Sequence, residues 1–183
     1  FGGVNTLWDR RYGFMNKALT SPISRSAIAL GKMSAISLIA ALQASLIIGI
    51  ALAIGVRFPN PIMIAPIMAI VILFSLGFSG ISVMIAATAK SQETFWGMIN
   101  LLGMPLFMLS PALFPLELLP DWLAVVAKLN PVTYTILLVR ELMTGVSEGG
   151  VPILISVAVI FAFVVAMVGI ASYVFTREVN KPF

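Results

Sequence analysis

The sequence MSAISLIAALQASLIIGIALAIGV occupies residues 33–56, contains no charged side chain and lies between Lys32 and Arg57. A helix of these 24 residues rises about 36 Å, which exceeds the roughly 30 Å hydrocarbon core of a bilayer. Repetition of such stretches predicts an all-α, polytopic membrane protein. Three more uncharged stretches follow, at 58–89, 94–115 and 149–176.

The composition agrees with a membrane protein and excludes several kinds of chemistry. Of 183 residues, 60% are hydrophobic and 10% are charged, whereas soluble domains carry about 25% charged residues. The chain has no Cys and no His, so it has no disulfide framework, no thiol nucleophile and no thiolate or imidazole metal site. We therefore predict no catalytic residue, no metal site and no cofactor bound by this chain.

The uncharged stretches divide the chain into two regions. Residues 1–32 precede the first uncharged stretch and are predicted to form a cytoplasmic loop, and residues 33–183 are predicted to form the transmembrane domain. Prolines crowd the start of the second stretch and the second half of the third, where they predict a loop and a kink or unwound end. The predicted spans are 33–56, 62–89, 94–115 and 149–176, with an outer loop at 116–148.

The positions of Lys and Arg predict the orientation, because positively charged loops stay in the cytoplasm. Four spans place both ends of the chain on one side of the membrane. Eight of the 11 basic residues fall on that side and three on the other. We therefore expect both ends of this chain on the cytoplasmic side of the cell membrane.

The stretch LWDRRYGFMNKAL, residues 7–19, interleaves aromatic and apolar residues with charged ones. This pattern predicts a short amphipathic helix that ends near Ser21-Pro22. One interpretation is an interfacial helix whose basic side chains reach toward lipid headgroups. The other is a docking element for a soluble partner. The residues alone leave both open.

The stretch FPLELLPDWLAVVAKLNP, residues 114–131, predicts a helix that lies in the outer headgroup layer. Leu118, Leu119, Trp122, Leu123 and Val126 have helical spacing opposite Glu117, Asp121 and Lys128. The uncharged residues 129–139 then reach only about 16 Å as a helix, which is half a membrane. We predict a re-entrant segment packed among the spans near an outer opening, from which Arg140 and Glu141 return to the surface.

Three segments together carry a resemblance to a known family. They are TSPISRSAIALGK at 20–32, MPLFMLSPALFPLELLPDWL at 104–123 and LNPVTYTILLVRELMTG at 129–145. In this order they resemble the permease subunits of type-2 ABC exporters, especially the daunorubicin-resistance-like multidrug and lipid export permeases. Such permeases have six spans, so the resemblance implies a fragment that lacks the first two. It also implies that residues 1–32 contain the end of the preceding span and the coupling-helix loop.

The resemblance also implies roles for two sets of residues. The stretch before the first long span is similar to the coupling helix that seats on the ATP-hydrolysing subunit, although the family's Glu-rich start is here replaced by Asp9 and two arginines. The segment 114–140 resembles the outer loop that caps the transport path. The implied coupling residues are Trp8, Asp9, Arg10, Arg11, Tyr12, Gly13 and Phe14, and the implied outer-cap residues are Trp122, Asn130, Pro131, Tyr134 and Arg140.

The chain has no Gly-x-x-x-x-Gly-Lys-Ser/Thr motif, so it is not itself the ATPase. The resemblance implies a separate ABC ATPase subunit that binds ATP and Mg, a second permease copy, membrane lipid and no nucleic acid as partners. The implied function is export of a hydrophobic or amphipathic, drug-like or lipid-like substrate.

Polar and polarisable residues inside the predicted spans are candidates for the substrate path. Amides are costly in hydrocarbon without a partner, and Met and Phe suit a path for bulky apolar cargo. The alternative for each residue is ordinary helix packing. The candidates are Gln43, Asn100, Met104, Phe107 and Ser110.

Two other classes of function stay open. A secondary transporter or channel is disfavoured because no acidic residue lies inside a span and no inverted repeat is visible. An intramembrane enzyme would need a cluster of reactive side chains at membrane depth, and the spans contain none.

Overall fold

The computed structural model describes residues 2–12, 20, 22–56, 60–113, 115–147 and 149–178. Throughout these residues the regular structure is helical, which confirms the predicted all-α class. Short 3₁₀ turns at Pro61–Met63 and Leu116–Leu118 precede α3 and α5. The helices are α1 (Gly2–Arg11), α2 (Arg25–Ala53), α3 (Ile64–Thr88), α4 (Gln92–Met108), α5 (Asp121–Leu129), α6 (Pro131–Thr144) and α7 (Ile153–Glu178).

Local sequence signals set several of these helix ends. Ser24 caps α2, where its Oγ accepts a hydrogen bond from the Ala27 amide at 3.3 Å. Ser91 caps α4 in the same way, with the Thr94 amide at 3.2 Å from its Oγ. α6 begins with Pro131 and ends at Thr144, and the following Gly145 takes the left-handed conformation that favours glycine (φ 73°).

Among the described residues, three helical segments are long and apolar enough to cross a membrane: α2, residues 61–88 and α7. The number is four if the bent pair of α5 and α6 counts as one span. α2 begins eight residues earlier than the predicted span at 33–56, because the basic residues Arg25 and Lys32 lie within its first turns. Long basic side chains can extend from such turns to the headgroups, so a search for uncharged stretches starts the helix too late. α7 begins at Ile153, four residues after the predicted start at 149.

The predicted span at 94–115 differs from the structure at its end. α4 has 17 residues and stops at Met108. The Leu109 amide bonds the Pro105 carbonyl at 2.9 Å and the Ser110 amide bonds the Phe107 carbonyl at 3.2 Å, which closes the last turn. Pro111 has no amide hydrogen to continue the helix. The chain therefore turns away at 109–113 rather than at 115.

The long helices pack around α3, which contacts α2, α7, α1, α4 and α6. A buried cluster joins α2, α3 and α7 through Met33, Val83 and Phe175. Small residues allow α3 and α7 to approach closely: a Cβ atom on Gly77 would lie 3.0 Å from the Val164 Cα, and one on Gly80 would lie 3.0 Å from the Met167 carbonyl oxygen. Such close backbone contact is the usual way in which membrane helices associate.

Serine hydroxyls join α2 to α3. The Ser37 Oγ lies 2.8 Å from the Ser75 Oγ and donates to the Ile72 carbonyl at 2.7 Å. The Ser79 Oγ donates to the Leu76 carbonyl at 2.7 Å and to the Met33 carbonyl at 3.3 Å. Among the described residues, every buried side-chain nitrogen or oxygen has a hydrogen-bond partner. These serines are therefore satisfied between the two helices.

Candidate coupling and transport site

α1 connects three other helices at one end of the molecule. Its Leu7 is buried together with Ile85 and Ala86 of α3 and with Phe95 of α4. Phe95 is completely buried, at 0% exposure. Gly3 also approaches α3, since a Cβ atom there would lie 2.8 Å from the Ser82 carbonyl oxygen. α1 therefore contacts α4 near its start, so a displacement of α1 would act directly on that end of α4.

The predicted amphipathic helix at 7–19 differs from the described one. α1 begins at Gly2, so that the expected end of a preceding span and the start of the coupling segment form one helix, which ends at Arg11. The Tyr12 amide still bonds the Trp8 carbonyl at 2.9 Å. Gly13 and Phe14, with the rest of 13–19, lie outside the described residues.

The predicted coupling residues take different positions on α1. Trp8 and Tyr12 are exposed, and their ring centroids lie 5.4 Å apart. Asp9 instead forms an ion pair with Lys32 of α2. The side chains of Arg10 and Arg11 lie outside the described part of the structure. Only two described residues of the set, Trp8 and Tyr12, therefore present an aromatic surface to a partner.

Sequence reasoning missed Lys32 as part of this site and used it as the boundary of the first uncharged stretch. The pair joins residues 23 positions apart, so no helical spacing rule relates them. Leu7 and Phe95 were missed as well, because a buried apolar contact between separate helices leaves no local pattern. The only signal was the charge of Asp9, an acidic residue in an otherwise basic stretch.

At the other end of α4, three side chains fix the junction between α5 and α6, which meet at 90°. The Asn130 amide donates to the Leu106 carbonyl at 2.6 Å, and its Oδ1 accepts from the Val132 amide at 3.0 Å. The Thr133 and Tyr134 hydroxyls donate to the Ala127 and Lys128 carbonyls, both at 2.7 Å. These bonds satisfy carbonyls in the last turns of α4 and α5. We call α5 and α6, joined at Asn130, the elbow.

The predicted outer-cap residues all lie on the elbow. Asn130, Pro131 and Tyr134 form its bend, and Trp122 lies exposed on α5. The Arg140 guanidinium donates to the Pro111 carbonyl at 3.1 Å, which ties α6 to the turn after α4. Arg140 also lines an open groove of about 400 Å³ along one side of α6, with Thr135, Ile136, Val139, Met143 and Thr144. Thr133 was missed by sequence reasoning, which treated it as part of an apolar run.

The predicted path residues do not form one cluster. Asn100, Met104 and Phe107 are exposed on one face of α4, at helical spacing. Gln43 is exposed on a different helix, α2. Ser110 is buried, and its hydroxyl donates to the Phe107 carbonyl at 2.6 Å. The structure thus brings three of the five together and places the other two elsewhere.

α4 is packed near its two ends and exposed between them. Phe95 packs on α1 and α3 near its start, and the Leu106 carbonyl receives Asn130 near its end. Between these points Leu101 is 74% exposed and Met104 is 63% exposed. The exposed middle of α4 carries the candidate path residues.

Comparison with known protein families matches residues 1–144 to the ABC-2 type transporter family. The chain belongs to this family. The matched region runs from α1 to the end of α6, so it includes the predicted coupling residues, α4 and the elbow. The resemblance to type-2 ABC permeases inferred from three short segments is therefore confirmed.

Named relatives in the ABC-2 family are described as transport permeases or as a nodulation protein. A putative transport permease ycf38 of Cyanophora paradoxa is 30% identical over 137 residues, which cover 74% of this chain and 47% of the relative. Nodulation protein J of Sinorhizobium fredii (strain NBRC 101917 / NGR234) is 28% identical over 146 residues, 79% of this chain and 55% of that protein. The probable multidrug ABC transporter permease YbhR of Escherichia coli (strain K12) is 25% identical over 129 residues, which cover 69% of this chain and 34% of that protein.

The chain spans about a third to just over half the length of these relatives. No solved structure matches it. Family membership together with the long apolar helices makes this chain a multi-pass membrane protein of the ABC-2 type transporter family.

Proposed function

We propose that this chain is the membrane-spanning part of an ATP-driven ABC exporter, which moves a hydrophobic or amphipathic, drug-like or lipid-like substrate out of the cell. A separate ATPase subunit binds ATP and Mg and supplies the hydrolysis. The protein lies in the cytoplasmic membrane with the α1 end of the molecule in the cytoplasm. The observation that carries the proposal is the buried apolar cluster that contains Leu7 of α1 and Phe95 of α4.

The ATPase contacts the end of α1 and the residues that follow it. Trp8 and Tyr12 support this role because both rings are exposed and adjacent, and aromatic side chains are enriched in protein interfaces. Asp9 has a different role, since its carboxylate is already paired with Lys32. It holds α1 against α2 while the neighbouring rings bind the partner.

Nucleotide-driven movement of the ATPase pushes α1, and the push reaches α4 through Leu7 and Phe95. Such coupling requires only that α1 makes different contacts in two states of the permease. Close packing of α3 on α7 makes that pair a rigid support, because Gly77 and Gly80 leave no space for the helices to slide. The helix that moves is therefore α4, which is held near its ends.

The substrate path lies between two permease copies, along the exposed face of α4. Asn100 supports this placement, because an amide at membrane depth needs a polar partner from another helix or from the substrate. Met104 and Phe107 give the same face flexible and aromatic apolar surface for a bulky substrate. The second copy covers this face when the path is closed.

Crosslinking in the full-length permease, co-expressed with its ATPase subunit, tests the proposal. This chain has no cysteine, so Tyr12→Cys introduces one reactive site into it at the end of α1. Val146→Cys is the matched control, because Val146 is similarly exposed beyond α6, at the opposite end of the molecule. We expect the Tyr12→Cys permease to crosslink to the ATPase in a nucleotide-sensitive way and the control not to do so. Absence of the ATPase from the Tyr12→Cys product would contradict the proposal.

A further inference from the structure

α5 has an apolar row that no described part of the chain covers. Trp122, Val125 and Leu129 follow one another on one side of the helix, and Leu118 precedes them in the adjacent 3₁₀ turn. Their side chains are 61 to 81% exposed. We call these four residues the exposed row. The sequence pattern placed Trp122 on one apolar side of the helix with Leu119 and Leu123. In the structure Trp122 is exposed, whereas Leu119 and Leu123 are partly buried.

The residues of α5 fall into three arcs around the helix axis, at roughly 100° per residue. One arc faces the protein: Ala127 is buried with Leu116 and Leu137, and Leu123 and Ala124 lie beside it. The second arc carries Asp121 and Lys128, both exposed. The third arc is the exposed row, which points away from the protein. The charged arc lies between the exposed row and one edge of the protein-facing arc.

The direction of α6 shows how α5 lies relative to the membrane. Leu138 packs with Ile160 and Val164 of α7, and Tyr134 and Leu142 extend this contact one turn in each direction. Contact over two turns means that α6 runs beside the spanning helix α7. α5 makes an angle of 90° with α6. α5 therefore lies across the spans, parallel to the plane of the membrane.

We propose that the exposed row is a lipid-binding surface, inserted into the bilayer interface at the elbow end of the molecule. An in-plane helix with a protein-facing arc, a charged arc and an apolar arc presents the apolar arc to acyl chains and the charged arc to headgroups. Lys128 lies in the charged arc, where it contacts lipid phosphates. Trp122 suits this depth, since tryptophan concentrates where the membrane meets water.

Other features of the row agree with lipid rather than water as its surroundings. Four large apolar side chains in one row, all more than half exposed, form a contiguous apolar patch that a water-facing helix rarely carries. α5 also lies beside the start of α7, because Val151 packs against the protein-facing arc. Two residues further on, α7 exposes Ile153 and Leu154 in the same region. The protein-facing arc of α5 thus lies beside the exposed, apolar start of a helix that is long enough to span a membrane.

Tryptophan fluorescence in the full-length permease tests the proposal. This chain has three tryptophans, so W8F/W96F leaves Trp122 as its only one, and any tryptophan elsewhere in the protein is replaced by Phe as well. The protein is reconstituted in vesicles of phosphatidylcholine and phosphatidylglycerol that carry bromine near the headgroup or near the chain end. We expect blue-shifted emission that the shallow bromines quench more strongly than the deep ones and that aqueous iodide quenches weakly.

The matched control is W8F/W122F, which keeps Trp96 in the cluster around Leu7 and Phe95. Because Trp96 packs against this buried cluster, shallow bromines should quench its emission less than they quench that of Trp122. A second probe, W8F/W96F/W122F with Leu129→Trp, repeats the measurement on the same row if the first variant folds poorly. Strong iodide quenching of Trp122 without bromine quenching would place the row in water and overturn the proposal.

Protection of Trp122 from both quenchers would mean that protein covers the row, for example a second copy, and would also overturn the proposal. The measurement needs neither ATP nor substrate. Its failure would therefore leave the proposed export function untouched.

Discussion

The Lys32 ammonium of α2 binds the Asp9 carboxylate of α1 and so joins the first long helix to the helix that carries the predicted coupling residues. Both side chains are less than one-third exposed. We expect Asp9→Asn and Lys32→Met each to lower the free energy of unfolding by about 1 kcal/mol, since each leaves a half-buried charged or polar group without its partner. Transport per ATP hydrolysed should fall in both variants.

The exchanged pair, D9K/K32D, provides the control for this ion pair. It should recover most of the transport lost in the single variants, because the attraction between α1 and α2 is restored. Thermal unfolding and ATP-driven transport in proteoliposomes measure the two effects. Single variants that match the wild type in both assays would show that the pair has no coupling role.

Phe95→Ala should separate ATP hydrolysis from transport. The change empties a completely buried site between α1 and α4 and should cost about 3 to 5 kcal/mol of stability. Phe95→Leu keeps most of the volume and should keep the fold, so that a remaining loss of transport per ATP can be assigned to coupling. Phe107→Ala, on the exposed face of the same helix, should instead change the KM for substrate with little effect on stability.

Asn130→Ala should loosen the elbow. The change leaves the part-buried Leu106 carbonyl without its 2.6 Å bond, which should cost about 1 kcal/mol or more, since a carbonyl left unsatisfied away from water costs about 1 to 3 kcal/mol. Asn60→Ala is the matched control, because the Asn60 side chain also accepts a backbone amide, at 3.1 Å, but in an exposed turn where water can replace it. Thermal unfolding should show the larger loss for Asn130→Ala, and equal losses would contradict the role assigned to the elbow bond.

Gly80→Ala should separate α3 from α7. The added Cβ would lie 3.0 Å from the Met167 carbonyl oxygen and 3.3 Å from the Ala171 Cβ, so the helices must move apart at a cost of about 1 to 3 kcal/mol. Gly169→Ala on α7 is the control, because a Cβ atom there meets no other atom within 4 Å. It should leave the unfolding temperature unchanged or raise it slightly. A stable Gly80→Ala protein would show that the close contact can relax.

Much of this fold was predictable because membrane helices carry a strong compositional signal. The uncharged stretches identified α2, α3 and α7, and the half-length apolar run before Arg140 identified α6 as an element too short to span. Helix ends were less predictable, because Arg25 and Lys32 lie inside α2 although they are charged. Pro105, by contrast, lies within the last turn of α4 without stopping it.

The candidate site was predictable in its parts but not in its connections. The resemblance identified Asn130 and Arg140, and helical spacing placed Asn100, Met104 and Phe107 on one face. The ion pair of Asp9 with Lys32 depends on how α1 packs across α2, which no spacing rule predicts. The division of the apolar residues of α5 likewise depends on the 90° bend at Asn130.

The attachment of α4 near its two ends has a consequence for how such permeases diversify. Phe95 and the Leu106 carbonyl hold the helix, whereas Leu101 and Met104 between them are largely exposed. Substitutions between these two points can therefore alter which molecules are accepted without disturbing the contacts that drive the helix. A permease built in this way can change its cargo by a few replacements in one short stretch while it keeps the same ATPase.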